Sequence, residues 1–240
     1  MAPVGPAAYA FGDKRGTLGC RCNTGRVEPA FAVRPPTPLR PSRRQRALND
    51  VAHIFSTICN PFATSLALFV FIAHETATGT NAFWPLFFTS TAFTSIGPML
   101  YVLWLYVSDR ITDLDMSVRA ERERVFSVFV IFYAAGTCAL YLLHAPRLMT
   151  ATLAGYAGAS FVVQYITRYW KISTHALGIT APLVVLVYLF GTQPLPFFVL
   201  IPLVGWSRIR LHAHTPLQVA AGTCLGAGSV LLFLRLFGLI

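Results

Sequence analysis

From about Ile54 to the end of the chain, apolar residues come in long runs separated by short polar breaks. The pattern predicts helices over 54–73, 85–107, 125–143, 148–167, 176–191, 195–206 and 216–238. A run of about 20 residues spans a bilayer core as helix, and a helix satisfies its own backbone polar groups there. A soluble helical domain would need a charged face along each segment, and these segments have none. The expected fold is all-α, a polytopic transmembrane helix bundle of six or seven spans. The number turns on 195–206, which is short and is marked by Pro194, Pro196 and Pro202. Pro98 and Pro182 fall inside predicted spans, where neighbouring helices tolerate them.

Composition agrees with this picture and divides the chain. Of 240 residues, 55% are hydrophobic and only 12% charged, about half the charge of an ordinary soluble domain. The first fifty residues depart from the rest: they hold nine of the 19 basic residues and seven of the 16 prolines. The stretch PPTPLRPSRRQR (35–46) is expected to be an extended basic linker near a membrane surface. The tail lacks the apolar core of a secretory signal. The expected division is a basic, Pro-rich, flexible cytoplasmic tail over 1–50 and a transmembrane domain over 51–240. Cys20 and Cys22 have no second Cys or His pair nearby, so no metal site is expected. Five cysteines, three of them in or near spans, do not make a disulfide scaffold. The net charge of +10 is assigned to the tail and to the loops of one membrane face, not to nucleic acid.

Parity orients the bundle. With seven spans, the tail and the loops 108–124, 168–175 and 207–215 lie on one side. That side carries the nine basic tail residues together with Arg110, Arg119, Arg122, Arg124, Arg168, Lys171, Arg208 and Arg210. The other side carries Arg147, with Arg235 near the last helix end. Lys and Arg are retained in the cytoplasm, so the N-terminus and all three polar loops are expected there, in a multi-pass protein of the cell membrane.

Those three loops hold every cluster with chemical potential. In SDRITDLDMSVRAERERVF (108–126), arginines alternate with Glu121 and Glu123. Guanidinium offers phosphate a rigid fork of donors, while local ion pairing is the plainer reading. Asp109, Asp113 and Asp115 open a separate reading as Mg²⁺ ligands. In YWKISTHALG (169–178), Lys171, Ser173, Thr174 and His175 stand where one span ends and the next begins. Ser173 and Thr174 have the chemistry to cap that helix or to meet an anion. In WSRIRLHAHTPLQVAAG (206–222), a helical conformation puts Arg208 and His212 on one face and Arg210 and His214 on one face. A turn brings Arg208 and His214 together instead. Arginines that hold phosphate beside histidines that move protons or attack phosphorus make a phosphotransfer set.

These residues resemble the type 2 phosphatidic acid phosphatase (PAP2) superfamily. Its third signature reads Ser-Arg, five residues, His, three residues, Asp, three residues, Gly. Ser207, Arg208, His214 and Gly222 fall in register, and Gln218 stands at the aspartate. ISTHA resembles the second signature, Pro-Ser-Gly-His, through Ser173 and His175. The first signature, Lys, six residues, Arg-Pro, is met only by Arg124, with Ser117 and Val125 at its other positions. The resemblance implies a PAP2-like bundle over roughly 50–238 that needs no metal or other cofactor. It implies His214 as the nucleophile that forms a phosphohistidine and His175 as the acid at the leaving oxygen. Arg208, Ser173 and Arg124, with Lys171 beside them, would hold the phosphoryl oxygens. Gln218 would orient His214; it accepts the ring N–H but supplies no charge.

The expected activity is hydrolysis of a lipid phosphate or diphosphate, an isoprenoid among them, with membrane lipids as surroundings. The altered signatures leave open a catalytically inactive, lipid-binding or assembly subunit of a membrane complex, whose protein partners the sequence does not name. An intramembrane prenyltransferase using the aspartates is the third reading. It lacks a second Asp-rich loop, since no Asp or Glu follows Glu123.

Overall fold

A computed structural model describes residues 42–77, 80–114 and 118–240. Every regular element among them is helical. The helices are α1 (Arg43–Ile58), α2 (Pro61–Thr76), α3 (Thr80–Thr91), α4 (Gly97–Val107), α5 (Arg119–Leu142), α6 (Arg147–Thr167), α7 (Thr174–Phe190), α8 (Leu200–Arg210) and α9 (Pro216–Leu236). A π-helical turn, Ala92–Ile96, joins α3 to α4, and a 3-10 turn, Leu195–Val199, leads into α8. Three helical stretches are long and apolar enough to cross a membrane: Ala82–Val107, Arg119–Leu142 and Pro216–Leu236. A fourth follows if α1 and α2, bent by 44° at their junction, form one broken span. Residues 1–41, most of the expected tail, lie outside the described residues, as do Asp115 and Ser117.

Several boundaries differ from the sequence pattern, and two of them have a clear local reason. The predicted segment 54–73 is interrupted at Cys59–Asn60, because Pro61 has no N–H to continue a helix. Asn60 instead starts a new one: its Oδ1 accepts from the backbone N–H of Phe62 and Ala63 at 2.9 and 2.8 Å. Upstream, the 50/51 boundary falls inside α1. Ser42 and Gln45 form a reciprocal capping box there, which satisfies two orphan donors and starts the helix at Arg43.

α6 lies at the centre. It packs on α5 and α9, α7 packs on α9 and α2, and α1 lies along α8. Thirteen of the 21 residues of α6 are buried, so its polar Thr150 and Thr152 meet protein rather than solvent or lipid, while Gln164 is half-buried. Gln164 donates to Ser127 of α5 at 2.6 Å. Gly222 and Gly226 let α9 approach α7 closely: a Cβ at Gly222 would stand 2.2 Å from the Ser173 carbonyl oxygen, and one at Gly226 2.7 Å from that of Leu177. The outward faces are apolar, with Leu100, Leu103, Trp104 and Val107 of α4 and Ile131 and Leu142 of α5 all exposed. Exposed apolar surface of this extent marks contact with a membrane or a partner.

Candidate active site

Four helix junctions contribute to one end of the bundle. They are α1–α2 (Asn60), α4–α5 (Thr112 to Leu114), α6–α7 (Lys171 to Thr174) and α8–α9 (Leu211 to His214). A small cleft there is lined by Leu114, Arg122, Phe126, Thr167, Lys171, Ile172, Thr174, His175, Arg208 and His214. It shares Leu114, Phe126, Thr174, His175 and Arg208 with a larger, mostly apolar cavity of about 760 Å³. Three cationic side chains and two imidazoles therefore meet where a deep apolar chamber opens.

The turn after α8 brings Arg208 and His214 together. His212 takes a left-handed conformation, φ 54°, and the backbone N–H groups of Ala213 and His214 both donate to the Arg208 carbonyl, at 3.0 and 3.2 Å. The chain folds back, His212 is left exposed, and His214 enters the cleft. Thr215 then caps α9 and Pro216 occupies its first turn, where a missing N–H costs nothing. Gln218 completes the capping box: its Oε1 accepts from the Thr215 N–H at 3.1 Å and lies 3.3 Å from His214 Nδ1. With the proton on Nδ1, that contact is a hydrogen bond and Nε2 keeps its lone pair.

Arg208 is 3% exposed. Its Nη1 donates to Ser56 Oγ of α1 at 2.7 Å, and two residues on Arg210 Nε donates to Asn49 Oδ1 at 3.0 Å. The α6–α7 junction is tied to α9 through its backbone, the Ser173 N–H donating to the Gln218 carbonyl at 3.1 Å. His175, in the first turn of α7, and His214, just before the cap of α9, are thus held by helix starts that are tied together.

Of the residues singled out in the sequence, Arg208, His214, His175 and Lys171 line the cleft, and Gln218 touches His214. Ser173 is fully buried and lines neither space; its Oγ accepts from the Ala176 N–H at 3.3 Å and caps α7. Thr174 lines both cleft and cavity instead. Arg124 is exposed and lines neither, whereas Arg122 lines the cleft. Helical spacing explains the exchange. Arg122, Phe126, Phe129 and Tyr133 follow one face of α5, the face that lines cleft and cavity, and Arg124 is turned about 200° from Arg122. That stripe was present in the sequence, and the signature register pointed to Arg124 instead.

The acidic neighbours fix the frame. Both Glu121 carboxylate oxygens accept from the Thr112 N–H at 3.2 Å. Glu123 pairs with Arg168 at 2.8 Å. Asp113, at the cavity wall, acts electrostatically on Arg122. Of the aspartates considered for Mg²⁺, Asp109 is exposed at a left-handed turn and Asp113 lines the cavity. Among the described residues, no three His, Cys, Asp or Glu gather as a metal site.

A helical bundle with apolar outer faces and a cleft lined by cationic side chains and two histidines is a membrane-type architecture. Residues 144–239 match the family model of the PAP2 superfamily, and the chain is consistent with a member of that superfamily. The matched segment holds α6 to α9 and both site histidines; Arg122 and Ser56 precede it. No curated protein and no solved structure matches the chain. The superfamily points to phosphatase-type chemistry on lipid phosphates.

Proposed function

We propose that the chain is an integral membrane phosphatase that hydrolyses a lipid phosphate or diphosphate through a phosphohistidine, without a metal. The observation that carries this reading is the convergence of His214, His175, Arg208, Lys171 and Arg122 on one cleft at the mouth of an apolar cavity.

In the proposed reaction the phosphoryl oxygens lie among Arg122, Lys171 and Arg208, fixed donors that stabilise charge on the equatorial oxygens of the transition state. His214 Nε2 attacks phosphorus. The P–N bond forms as the P–O bond to the lipid breaks, and the leaving oxygen takes the proton of His175. Gln218 Oε1 holds the Nδ1–H throughout. Water then attacks phosphorus, His175 takes its proton, and the P–N bond breaks to release phosphate and free His214. Thr174 replaces Ser173 in this scheme as a hydroxyl facing the site, and Arg122 replaces Arg124.

Seven passages of the bilayer fit the sites' common end: α2, α3–α4, α5, α6, α7, the 3-10 turn with α8, and α9, with α1 at the membrane surface. α6 and α7 need less apolar surface than isolated spans because neighbouring helices cover them. Trp104, Tyr106, Tyr165, Tyr169, Trp170 and Trp206 belong to the cleft end of their helices and are exposed, as aromatic residues at a lipid–water boundary are. The basic-residue asymmetry supports a cell-membrane protein with this end in the cytoplasm.

The test is phosphate release by protein in nanodiscs, with chelator present, from phosphatidate, phosphatidylglycerol phosphate and prenyl diphosphates. His214→Ala is expected to abolish release while folding is retained, and His212→Gly to keep it. Release at the wild-type rate from His214→Ala overturns the nucleophile. No release from the folded wild type across the panel favours the non-catalytic, lipid-binding reading that Gln218 leaves open.

A further inference from the structure

The cavity behind the cleft has a shape and a chemistry that constrain the lipid tail. On α5 the lining face starts at Arg122 in the cleft and ends at Tyr133; on the antiparallel α6 it starts at Thr167 and ends at Tyr156. Each path covers eleven residues, about 16 Å along a helix axis. The two helices therefore supply one wall of a cavity with cations at one end and two tyrosines at the other. Between the ends the walls are apolar, with Phe126, Phe129, Val102 and Val163 among them.

The far end is closed by aromatic packing. The Tyr156 ring meets Tyr133 at 6.0 Å and Phe69 at 6.0 Å, both edge-on, and Phe69 is fully buried behind it. This floor is not plain hydrocarbon. The Tyr156 hydroxyl is buried, and no group among the described residues bonds it. Ser160, one turn nearer the cleft, adds a second hydroxyl to the wall. A buried hydroxyl with no partner is costly. Water satisfies it while there is room, and a hydrocarbon end pressed against the floor expels that water without replacing its hydrogen bonds.

We infer that the cavity seats a single hydrocarbon tail and that Tyr156 is its end-stop, so the preferred substrate is a single-chain lipid phosphate or diphosphate whose tail ends short of the floor. The inference rests on the phosphatase reading of the adjoining cleft. An extended carbon chain, with C–C bonds near 1.5 Å, crosses about 16 Å in roughly a dozen bonds. A cavity of about 760 Å³ is of small-ligand size and does not enclose the two long tails of a diacyl lipid. Tyr156 is then a specificity-determining residue that acts on tail length and not on the phosphoryl step.

The experiment is phosphate release from straight-chain alkyl monophosphates with tails of about 8 to 20 carbons, by wild type and Tyr156→Phe in nanodiscs. Wild type is expected to peak near a dozen carbons and to fall about tenfold by the longest tail, the scale of one unsatisfied hydroxyl. Tyr156→Phe, which keeps the ring and its packing, is expected to move the peak to longer tails. A flat or rising length profile for wild type, or an unmoved peak in Tyr156→Phe, overturns the end-stop while the phosphatase reading stands. No release at any length, together with none from the wider lipid panel, overturns the reading beneath it.

Discussion

Gln218 has two tasks at one oxygen: it caps α9 through the Thr215 N–H and it faces His214 Nδ1. A carboxylate at the same reach would keep both contacts and add charge beside an imidazole that becomes cationic on attack. Glutamate has that reach and is the usual partner in a capping box, whereas aspartate is one methylene shorter. Gln218→Glu is therefore expected to raise kcat by roughly tenfold or more without loss of thermal stability, as read by phosphate release and by a melting scan in detergent. A lower kcat at unchanged stability would mean that the amide is itself tuned to this site. The register of signature residues named His214, His175 and Arg208, and the structure brings the three to one cleft. The register did not lead to Arg122, because the arginine-rich start of α5 offers three candidates two or three residues apart. Which of them faces inward depends on the phase of α5, set by Phe126, Phe129 and Tyr133 further along.

At the level of elements, α7 and α9 form the frame that holds the two histidines. The Gly222 position is within 2.2 Å, Cβ to oxygen, of the Ser173 carbonyl, and the Ser173 N–H is bonded to the Gln218 carbonyl. A methyl group at Gly222, in the second turn of α9, must push that helix away from the start of α7. Gly222→Ala is expected to cost about 2 kcal/mol through overpacking and to lower phosphate release by more than tenfold, since displacement of about 1 Å in a catalytic pair is costly. An unchanged melting temperature and rate would show that the helices slide to absorb it. The helices themselves were legible from hydropathy, with Thr174–Phe190 and Pro216–Leu236 close to the predicted segments. The break at Asn60 was not, because the apolar run continues across it and only Pro61 marks the place. The helical residues 43–50 were hidden for the opposite reason: their arginines resemble a tail, and the capping box Ser42–Gln45 is a signal of four residues.

For the whole molecule, the proposed orientation puts the cleft end of every helix in the cytoplasm. Single cysteines placed at both ends of a variant lacking the native ones test it with a membrane-impermeant maleimide on intact cells. Thr192→Cys, in the turn after α7, is expected to label, and Tyr169→Cys, beside the cleft, to label only after permeabilisation. The reverse pattern would place the chemistry on the outer face. The all-helical architecture was accessible from the apolar runs, while the chamber behind the cleft was not. Its walls come from α1, α2, α4, α5, α6, α7 and α8, and no local pattern states that seven helices leave a space between them.

The bond from Arg208 to Ser56 has a consequence for how far this protein can be divided. A fragment trimmed to the family-matched residues 144–239 would encode both histidines, Lys171, Arg208 and Gln218. It would still lack Arg122, the α5 wall with Tyr133, and the hydroxyl that holds the Arg208 guanidinium in place. The recognisable motif and the working part are therefore different objects. Anyone grafting this cleft onto another scaffold has to carry α1 with it, although α1 holds none of the signature residues.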